Sequence, residues 1–357
     1  MNHRKSIRNI FTFLLILLYL GCKRIPVLPD IDLGKLTKNQ EQTLSSLQQL
    51  NDYPFFSMRY YGDYDERLLK IIKEELGIQI NACSTFTAAN VESEKILARN
   101  HDWPENPVLI LLSYPENKLA SISMVDLFLL GYTKDSSFST LNEKSKLLYS
   151  IFIPMDGMNE RGIAIGAMGC MGLDSKNEKI PVYSNEIIRI VLDTAETMND
   201  VIEIFENYSI YNPVIPLHYI VSDSIGNSAI IEYIDGKVQV QELDQNSKVL
   251  TNFRYYGNIE KIKEKSNEYL STGKINKDVF GNSYLRYIKI KQKLMTSNGI
   301  LSESESMNLL KEVSMEMKSF YGDFYTVWSV VYNLSNKKID VAIGRNYNDI
   351  YSFELEQ

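Results

Sequence analysis

Hydrophobic and polar positions divide the chain into groups of helices and groups of strands. Residues 65–76 carry apolar side chains on one helical face, and Gly77 follows as a residue type that commonly ends a helix. The apolar positions of this helix are Leu68, Leu69, Ile71, Ile72 and Leu76. Residues 186–207 carry two further helical patterns that meet near Asn199, and residues 283–294 and 304–314 carry one each.

Short apolar or alternating runs bounded by turn residues predict the strands. They cover residues 83–89, 96–99, 108–112, 120–124, 218–222, 228–233, 238–242, 248–251, 326–332 and 338–343. Asp235-Gly236 and Ser335-Asn336 are turn signals that join two pairs of them as hairpins. Because strands and helices come in groups and do not alternate one by one, we expect sheets covered by helices.

The first 22 residues have the features of an export signal. Basic side chains come first, and an almost unbroken apolar run follows over residues 10–20. This run is shorter than the roughly 20 residues that span a bilayer and suits the apolar core of a signal. It ends in Leu18-Tyr19-Leu20-Gly21-Cys22, which resembles the lipobox of bacterial lipoproteins. We therefore expect an exported protein of the bacterial cell envelope, anchored in the membrane by lipid on Cys22; a plain cleaved signal or an uncleaved anchor is the alternative.

The composition disfavours several classes of protein. Hydrophobic residues make up 44% and charged residues 23%, as in ordinary globular domains, and the net charge of -7 argues against a nucleic-acid binder. Three cysteines are too few for a disulfide framework, and neither Cys-x-x-Cys nor His-Glu-x-x-His spacing indicates a metal site. The histidines are His3, His101 and His218, so a mechanism that needs a histidine cluster is disfavoured. We expect no metal, no cofactor and no nucleic-acid partner.

The clearest candidate chemistry lies in the first two predicted strands. Cys83 opens one strand, and Arg99 and Asp102 end the next, so a hairpin would bring the three side chains to one end of a sheet. An arginine beside a cysteine favours the thiolate, which is the reactive form. Neighbouring residues of a strand point to opposite faces, so we expect His101 to face away from this cluster. By these residues alone, a small buried core cysteine remains the more frequent alternative.

Six segments in order extend this observation over most of the chain. Cys83-Ser84-Thr85-Phe86 and Arg99-Asn100-His101-Asp102-Trp103 are followed by residues 156–162, 217–223, 249–252 and 328–333. Together they resemble the choloylglycine hydrolase and penicillin V acylase group, in particular its linear amide C–N hydrolase branch. The resemblance implies an α+β fold with four layers, αββα, in which two mostly antiparallel sheets form the sandwich of N-terminal-nucleophile hydrolases.

The resemblance also implies roles for four residues. Cys83 matches the nucleophile, and Asp102 matches the aspartate that holds its α-amino group. Arg99 matches the arginine that lines the nucleophile, and Asn252 an asparagine of the oxyanion site. An α-amino group has a pKa of about 7.7–8.0, so it can take the thiol proton near neutral pH. The sulfur would then attack an amide carbonyl and form a thioester.

Such a mechanism requires a free amine on Cys83. The resemblance therefore implies that the chain cuts itself between Ala82 and Cys83. It would then consist of an export signal over residues 1–22, a tether and pro-segment with short helices over 23–82, and a catalytic domain over 83–357. Because the lipid on Cys22 would belong to the smaller piece, the larger one stays at the membrane only if the two remain packed together.

Two positions depart from the family pattern. Gly169 stands where the bile-salt and penicillin V enzymes have a second asparagine, and Ser283 where they have a further arginine. The departures leave the second oxyanion donor unassigned and make bile salts and penicillin V doubtful substrates. Candidates for lining the site are Asn159, Cys170 and Arg286, of which Arg286 suits a structural role equally well. His218, flanked by apolar residues, is expected to be a core histidine.

The sequence therefore predicts an amide hydrolase that acts on a small linear amide, such as an N-acyl amino acid or a related acylated amine. One alternative is an acyltransferase of the same fold, in which an amine in place of water resolves the thioester. Another is a papain-like peptidase that pairs Cys83 with a histidine such as His218 and needs no cut at Ala82. The third is a non-catalytic lipoprotein that binds a ligand.

Overall fold

The computed structural model describes residues 28–29, 31–75, 82–175, 177–211, 216–243, 248–275, 282–317 and 324–356. The predicted export signal, Cys22 and the helix-ending Gly77 lie outside these ranges, so they stay predictions. Within the described ranges, no helix has both the length and the apolar character needed to cross a membrane.

The described chain is a mixture of strands and helices. Its strands are β1 Gln48–Asn51, β2 Phe55–Tyr61, β3 Ala82–Ala89, β4 Lys95–Trp103, β5 Val108–Tyr114, β6 Ser121–Asp126, β7 Asp156–Asn159, β8 Ala164–Gly169, β9 Ile180–Tyr183, β10 Tyr208–Tyr211, β11 Leu217–Ser222, β12 Ser228–Ile234, β13 Lys237–Glu242, β14 Val249–Thr251, β15 Glu316–Met317, β16 Phe324–Asn333, β17 Lys338–Ile343 and β18 Asn346–Glu354. Its α-helices are α1 Lys38–Ser45, α2 Glu66–Glu75, α3 Leu141–Lys144, α4 Ser184–Thr194, α5 Met198–Asn207, α6 Ile259–Thr272, α7 Ser283–Thr296 and α8 Glu303–Glu312. Short 3-10 helices cover Leu33–Lys35, Leu127–Leu130 and Ser145–Phe152.

Two large sheets contain most of the strands. The nine-stranded sheet has the order β1-β2-β5-β6-β7-β8-β11-β12-β13, and all its pairs are antiparallel except β2 with β5. The seven-stranded sheet has the order β14-β3-β4-β16-β17-β18, and β15 pairs with β16 at its side. This confirms the predicted α+β class with two mostly antiparallel sheets.

The two sheets face each other, and helices cover their outer faces. α7 packs on β3 and β14, and α8 packs on β4 and β16, whereas α4 packs on β7 and β8 of the other sheet. Two glycines show how closely the layers approach. A Cβ on Gly166 of β8 would lie 2.9 Å from Arg99 Cδ of the facing sheet, and one on Gly157 of β7 would lie 2.7 Å from Leu192 Cδ1 of α4. This arrangement is the predicted αββα sandwich.

Several local predictions are confirmed. β3 and β4 pair antiparallel as neighbours, and the predicted helical patterns of residues 186–207 form α4 and α5 with a break at residues 195–197. β12 and β13 form a hairpin whose turn residues Asp235 and Gly236 have φ of 50° and 71°. Asparagine, aspartate and glycine are the residues that most readily adopt this left-handed conformation, which explains the turn signal.

The main element that the sequence did not reveal is the pair β1 and β2. These strands lie in the segment that was expected to hold only a tether and short helices. β2 runs parallel to β5, and its Phe55, Met58 and Tyr60 are buried. The N-terminal segment is therefore part of the nine-stranded sheet. α6 and β18 were also not predicted; β18 is largely exposed, and its Tyr347, Tyr351 and Phe353 are only partly buried against the core.

Candidate active site

The hairpin of β3 and β4 sets the direction of each candidate side chain. Cys83 lies directly opposite His101, and residues opposite each other in an antiparallel pair share one face of the sheet. Arg99 precedes His101 by two residues and shares that face, which looks toward the nine-stranded sheet. Asp102 lies opposite Ala82, on the other face of the sheet. The expectation that His101 faces away is therefore wrong, because alternation along β4 turns Asp102, not His101, away from the sulfur.

The sulfur of Cys83 is fully buried between two nitrogen-bearing side chains. Arg99 donates from Nη2 to Sγ at 3.3 Å, and His101 Nδ1 lies 3.9 Å from Sγ. Burial raises the pKa of the Cys83 thiol to about 11, although the positive charge of Arg99 acts to lower it. The thiol is therefore protonated near neutral pH.

Arg99 is fixed by the facing sheet. Its Nη1 forms an ion pair with Asp156 of β7, and its Nη2 donates to the carbonyl oxygen of Ala167 at 2.6 Å. Asp156 also accepts hydrogen bonds from Trp328 Nε1 at 3.2 Å and from the hydroxyl of Tyr332. Burial raises the pKa of Asp156, and the neighbouring Arg99 acts to lower it. This buried network holds the guanidinium against the sulfur.

The backbone of Cys83 is held by two other side chains. Its N–H donates to Asn252 Oδ1 at 2.8 Å, and its carbonyl oxygen accepts from Arg286 Nη1 at 2.7 Å. Arg286 Nη2 also donates to Asn252 Oδ1 at 3.0 Å. The amide nitrogen of Asn252 donates to the carbonyl oxygen of Gly169 at 2.9 Å. Asn252 thus binds the backbone nitrogen of Cys83, and its predicted oxyanion role stays a prediction.

Asp102 belongs to the same site, but its partners lie on the face of the sheet that α7 covers. Its Oδ2 lies 3.1 Å from Arg286 Nη1, and its Oδ1 accepts from Thr326 Oγ1 at 2.5 Å. Burial raises the pKa of Asp102, whereas Arg286 and then Thr326 act to lower it. The predicted contact between this carboxylate and a free α-amine stays a prediction, because in this structure the nitrogen of Cys83 is an amide that donates to Asn252.

His101 is the site residue that the sequence analysis misplaced. Its ring stacks on Trp328 with centroids 3.8 Å apart and an interplanar angle of 9°. Its Nε2 lies 3.8 Å from Asp126 Oδ2 at the end of β6. A β-bulge in β16 leaves Val327 without a partner residue in β4. Trp328 therefore lies opposite His101, and Thr326 lies opposite Asp102. Bulges commonly re-aim side chains next to active sites, and this one could not be read from periodicity alone.

The other proposed site-lining residues differ in their surroundings. Arg286 lies inside the site, as described above. Asn159 stabilises the turn between β7 and β8, since its Oδ1 accepts from the N–H groups of Arg161 and Ile163 and its Nδ2 donates to the carbonyl oxygen of Ala195. Ser283 begins α7, and its carbonyl oxygen accepts from Thr251 Oγ1 at 3.1 Å.

Cys170 lies in a buried cluster with His218 and Glu232, whose donor atoms are within 4.8 Å of one another. These residue types can bind a metal ion such as zinc. The carboxylate is already engaged, however, because Glu232 contacts His218 Nδ1 at 2.9 Å and accepts from the N–H groups of Tyr255 and Tyr256. Burial raises the pKa of Cys170 well above its usual value. His218 is therefore a buried histidine paired with Glu232, as the sequence predicted for a core residue.

Solved structures with a similar fold support the αββα description. Two variants of the conjugated bile acid hydrolase from Clostridium perfringens superpose with a TM-score of 0.57 at 16% and 17% identity, covering 76% of this chain and 92% of theirs. Penicillin V acylase from Agrobacterium tumefaciens superposes with a TM-score of 0.56 at 17% identity, covering 76% of this chain and 86% of that one. A search of curated protein sequences gave no match.

The family model of linear amide C–N hydrolases, choloylglycine hydrolase family, matches residues 83–283, which is 201 of the 357 residues. This match identifies the protein as one of the amide-hydrolase class. The chain belongs to the choloylglycine hydrolase family of linear amide C–N hydrolases.

Proposed function

We propose that this protein hydrolyses linear amides with Cys83 as an N-terminal nucleophile, which a cut after Ala82 exposes. The observation that carries the proposal is that three different side chains hold the three functional groups of Cys83. Asn252 accepts from its nitrogen, Arg99 donates to its sulfur, and Arg286 donates to its carbonyl oxygen. The family match also begins at residue 83.

In the proposed cycle, the free amine of Cys83 takes the proton of its own thiol, and the sulfur attacks the carbonyl carbon of the substrate. The carbon–nitrogen bond breaks as the amine returns that proton to the leaving nitrogen. Water then hydrolyses the thioester, which releases the acid and restores the thiol. Asn252 would donate to the oxyanion from Nδ2 once the cut frees it from its present geometry, and removal of such a donor typically lowers the rate about a hundred- to a thousand-fold.

The burial of Cys83 supports the need for a cut. The side chain has no exposed surface in the uncut chain, so a substrate cannot reach the sulfur without a change at the start of β3. A break between Ala82 and Cys83 would supply that change and would create the amine in the same step.

Intact mass measurement and N-terminal sequencing of the purified protein test this proposal. We expect a fragment that begins Cys83-Ser84-Thr85 in the wild type and only the uncut chain in Cys83→Ala. Cys170→Ala is the matched control, because it removes the other described cysteine and should leave the cut unchanged. A wild-type protein that stays uncut while it hydrolyses amides would disprove the amine-assisted mechanism.

The proposed substrates are small N-acyl amides, including N-acyl amino acids. A panel of acyl-7-amino-4-methylcoumarin amides with acyl chains of increasing length would define the acyl preference by fluorescence. Product analysis with and without added glycine separates hydrolysis from acyl transfer. We expect the free acid as product in both cases; formation of the acyl-glycine as the main product would favour the acyltransferase.

We also propose that the chain is exported and anchored through lipid on Cys22. The support is the basic, then apolar sequence that ends in Leu20-Gly21-Cys22. Metabolic labelling with an alkyne fatty acid should mark the N-terminal fragment in the wild type and not in Cys22→Ala. Labelling that persists in Cys22→Ala would contradict the anchor without affecting the proposed amide chemistry.

A further inference from the structure

The uncut chain lacks the base that the proposed cycle uses. The nitrogen of Cys83 is still an amide, and it donates to Asn252 Oδ1 at 2.8 Å. An amide nitrogen has no basic lone pair, so it cannot take the thiol proton. The thiol is also protonated near neutral pH, because burial raises its pKa to about 11. The cut between Ala82 and Cys83 therefore requires a different proton acceptor beside Sγ.

His101 has the position and the tautomer for this task. Its Nδ1 lies 3.9 Å from Cys83 Sγ and 3.4 Å from Arg99 Nη2. A guanidinium can only donate, so Nδ1 carries the lone pair and the ring proton resides on Nε2. The stack on Trp328 fixes the plane of the ring, and Nε2 then points toward Asp126 Oδ2 at 3.8 Å. The lone pair of a neutral imidazole thus lies next to both the guanidinium of Arg99 and the thiol of Cys83.

The acidic groups nearby are occupied by other partners. Asp102 lies on the opposite face of the sheet and is held by Arg286 and Thr326. Asp156 is bonded to Arg99, Trp328 and Tyr332. Within the described part of the chain, His101 is the neutral nitrogen base in contact with the sulfur of Cys83.

We propose that His101 is the base of self-cleavage, distinct from the amine that serves as base in later turnover. This inference rests on the proposed function, since it concerns how the N-terminal cysteine is made. It assigns the two reactions at one sulfur to two different bases. The protein would use His101 once and the amine of Cys83 in every later cycle.

The proposed step conserves atoms and charge. The thiol proton moves to His101 Nδ1, and the sulfur uses the electron pair of its former S–H bond to attack the carbonyl carbon of Ala82. The bond between that carbon and the nitrogen of Cys83 breaks with its electron pair on nitrogen, and His101 returns the proton to this nitrogen. Water then hydrolyses the thioester, which leaves a carboxylate on Ala82 and a free thiol and amine on Cys83.

The surroundings favour a base that holds the proton only briefly. Burial, and then the charge of Arg99, hold the pKa of His101 well below its usual value. The imidazole is therefore neutral and available before the reaction, and the imidazolium readily gives up its proton. Asp126 faces Nε2 and would stabilise the transient positive charge when it is ionised.

The test follows cleavage over time in the full chain made by cell-free translation. His101→Asn keeps a hydrogen-bond acceptor near the position of Nδ1 but has no basic nitrogen, and His101→Met keeps an apolar side chain against Trp328. We expect both variants to cleave at least about a hundredfold more slowly than wild type, the lower end of what general base catalysis contributes. His218→Asn is the matched control, because it replaces the other described histidine, and should cleave within a few-fold of wild type.

A rescue measurement separates a base from a structural support. His101→Gly leaves a space beside Sγ that free imidazole can fill. We expect added imidazole to accelerate cleavage of His101→Gly in proportion to its concentration and to leave His101→Met unaffected. A support role predicts no acceleration.

Turnover is measured separately on a protein that does not need the cut. Residues 23–82 and residues 83–357 are produced together as two polypeptides, and a SUMO fusion releases the second with Cys83 at its N-terminus. In this two-piece protein we expect His101→Asn to lower the hydrolysis of an acyl-7-amino-4-methylcoumarin amide by a much smaller factor than it lowers cleavage of the full chain. Equal losses in both reactions would overturn the assignment of two bases.

The outcomes distinguish this inference from the proposed function. Cleavage of His101→Asn at the wild-type rate, in a wild type that does cut before Cys83, would overturn the role of His101 alone. A wild type that never cuts before Cys83 would overturn the proposed function itself and with it this inference.

Discussion

The guanidinium of Arg286 donates to the carbonyl oxygen of Cys83 at 2.7 Å while the same nitrogen lies 3.1 Å from Asp102 Oδ2. A side chain from α7 therefore joins the start of β3 to the end of β4 from the helix side of the sheet. The guanidinium and the carboxylate are both buried. Loss of one partner would leave the other charge buried without its counterion, which costs more free energy than loss of both.

We predict that Arg286→Leu lowers the free energy of unfolding by about 3–5 kcal/mol. The measurement is urea unfolding in a Cys83→Ala background, in which every variant stays uncut. Adding Asp102→Asn should recover part of the loss, because the buried carboxylate is then neutral. Arg161→Leu, at a half-exposed ion pair with Glu196, is the control and should change stability by no more than about 0.5 kcal/mol. The same loss in the single and the double variant would argue against this coupling.

Asp126 should make stability depend on pH. Burial raises the pKa of Asp126 from 3.8 to about 7, although the Phe128 N–H and Asn106 act to lower it. The folded protein thus binds the proton more tightly than the unfolded chain. This contribution to stability is fully present below about pH 4 and is lost as the pH rises through about 7.

Asp126→Asn tests this dependence, because it keeps an acceptor for the Phe128 N–H and cannot ionise. In the Cys83→Ala background, we expect the parent to lose more stability than Asp126→Asn between pH 5 and pH 8, by an amount on the order of a few kcal/mol. Other groups that titrate are common to both proteins, so the difference between the two isolates Asp126. Parallel pH profiles would show that the carboxyl does not titrate in this range.

The N-terminal segment should stay attached after the proposed cut. Phe55 of β2 is fully buried, and its ring packs edge-on against Tyr351 with centroids 5.1 Å apart. We expect the two fragments of the wild type to copurify in native buffer and to separate in denaturant. Phe55→Ala should weaken the association by about 3–5 kcal/mol, as is typical for a buried phenylalanine. Val91→Ala, at an exposed position, should have no effect; separation of the wild-type fragments in native buffer would contradict this prediction.

Gly166 should be required for the position of Arg99. A Cβ at this residue would lie 2.9 Å from Arg99 Cδ and 3.2 Å from Arg99 Nε, so alanine must displace the side chain that contacts the sulfur. We predict that Gly166→Ala slows both cleavage and amide turnover at least about ten-fold, which corresponds to 1.4 kcal/mol in the barrier. Gly34→Ala is the control, because its Cβ would only approach Asp32 Oδ1 at 3.4 Å. Normal rates in Gly166→Ala would mean that Arg99 can move without consequence.

The sequence alone predicted most strands and helices, because buried strands and amphipathic helices leave a clear period in the hydrophobic positions. The family was predicted from the resemblance of six ordered segments. The sequence also identified Cys83, Arg99 and Asp102 as neighbours, since a hairpin of consecutive strands is a local structure. β2 was missed because its longer pairing is the parallel one with β5, far along the chain, while its antiparallel partner β1 is a short and largely polar strand.

Tertiary structure decided which groups meet at the sulfur. The face of β4 that carries His101 was assigned wrongly from the sequence, because Asp102 was taken to share the face of Cys83. The pairing of β3 with β4 places His101 opposite Cys83 and Asp102 opposite Ala82. Contacts between segments distant in sequence determine three features of the site. These are the bulge at Val327, the position of Asp126 beside His101 and the contact of Arg286 of α7 with Cys83. Local periodicity contains no information on such contacts, so only the packed sheets and helices determine them.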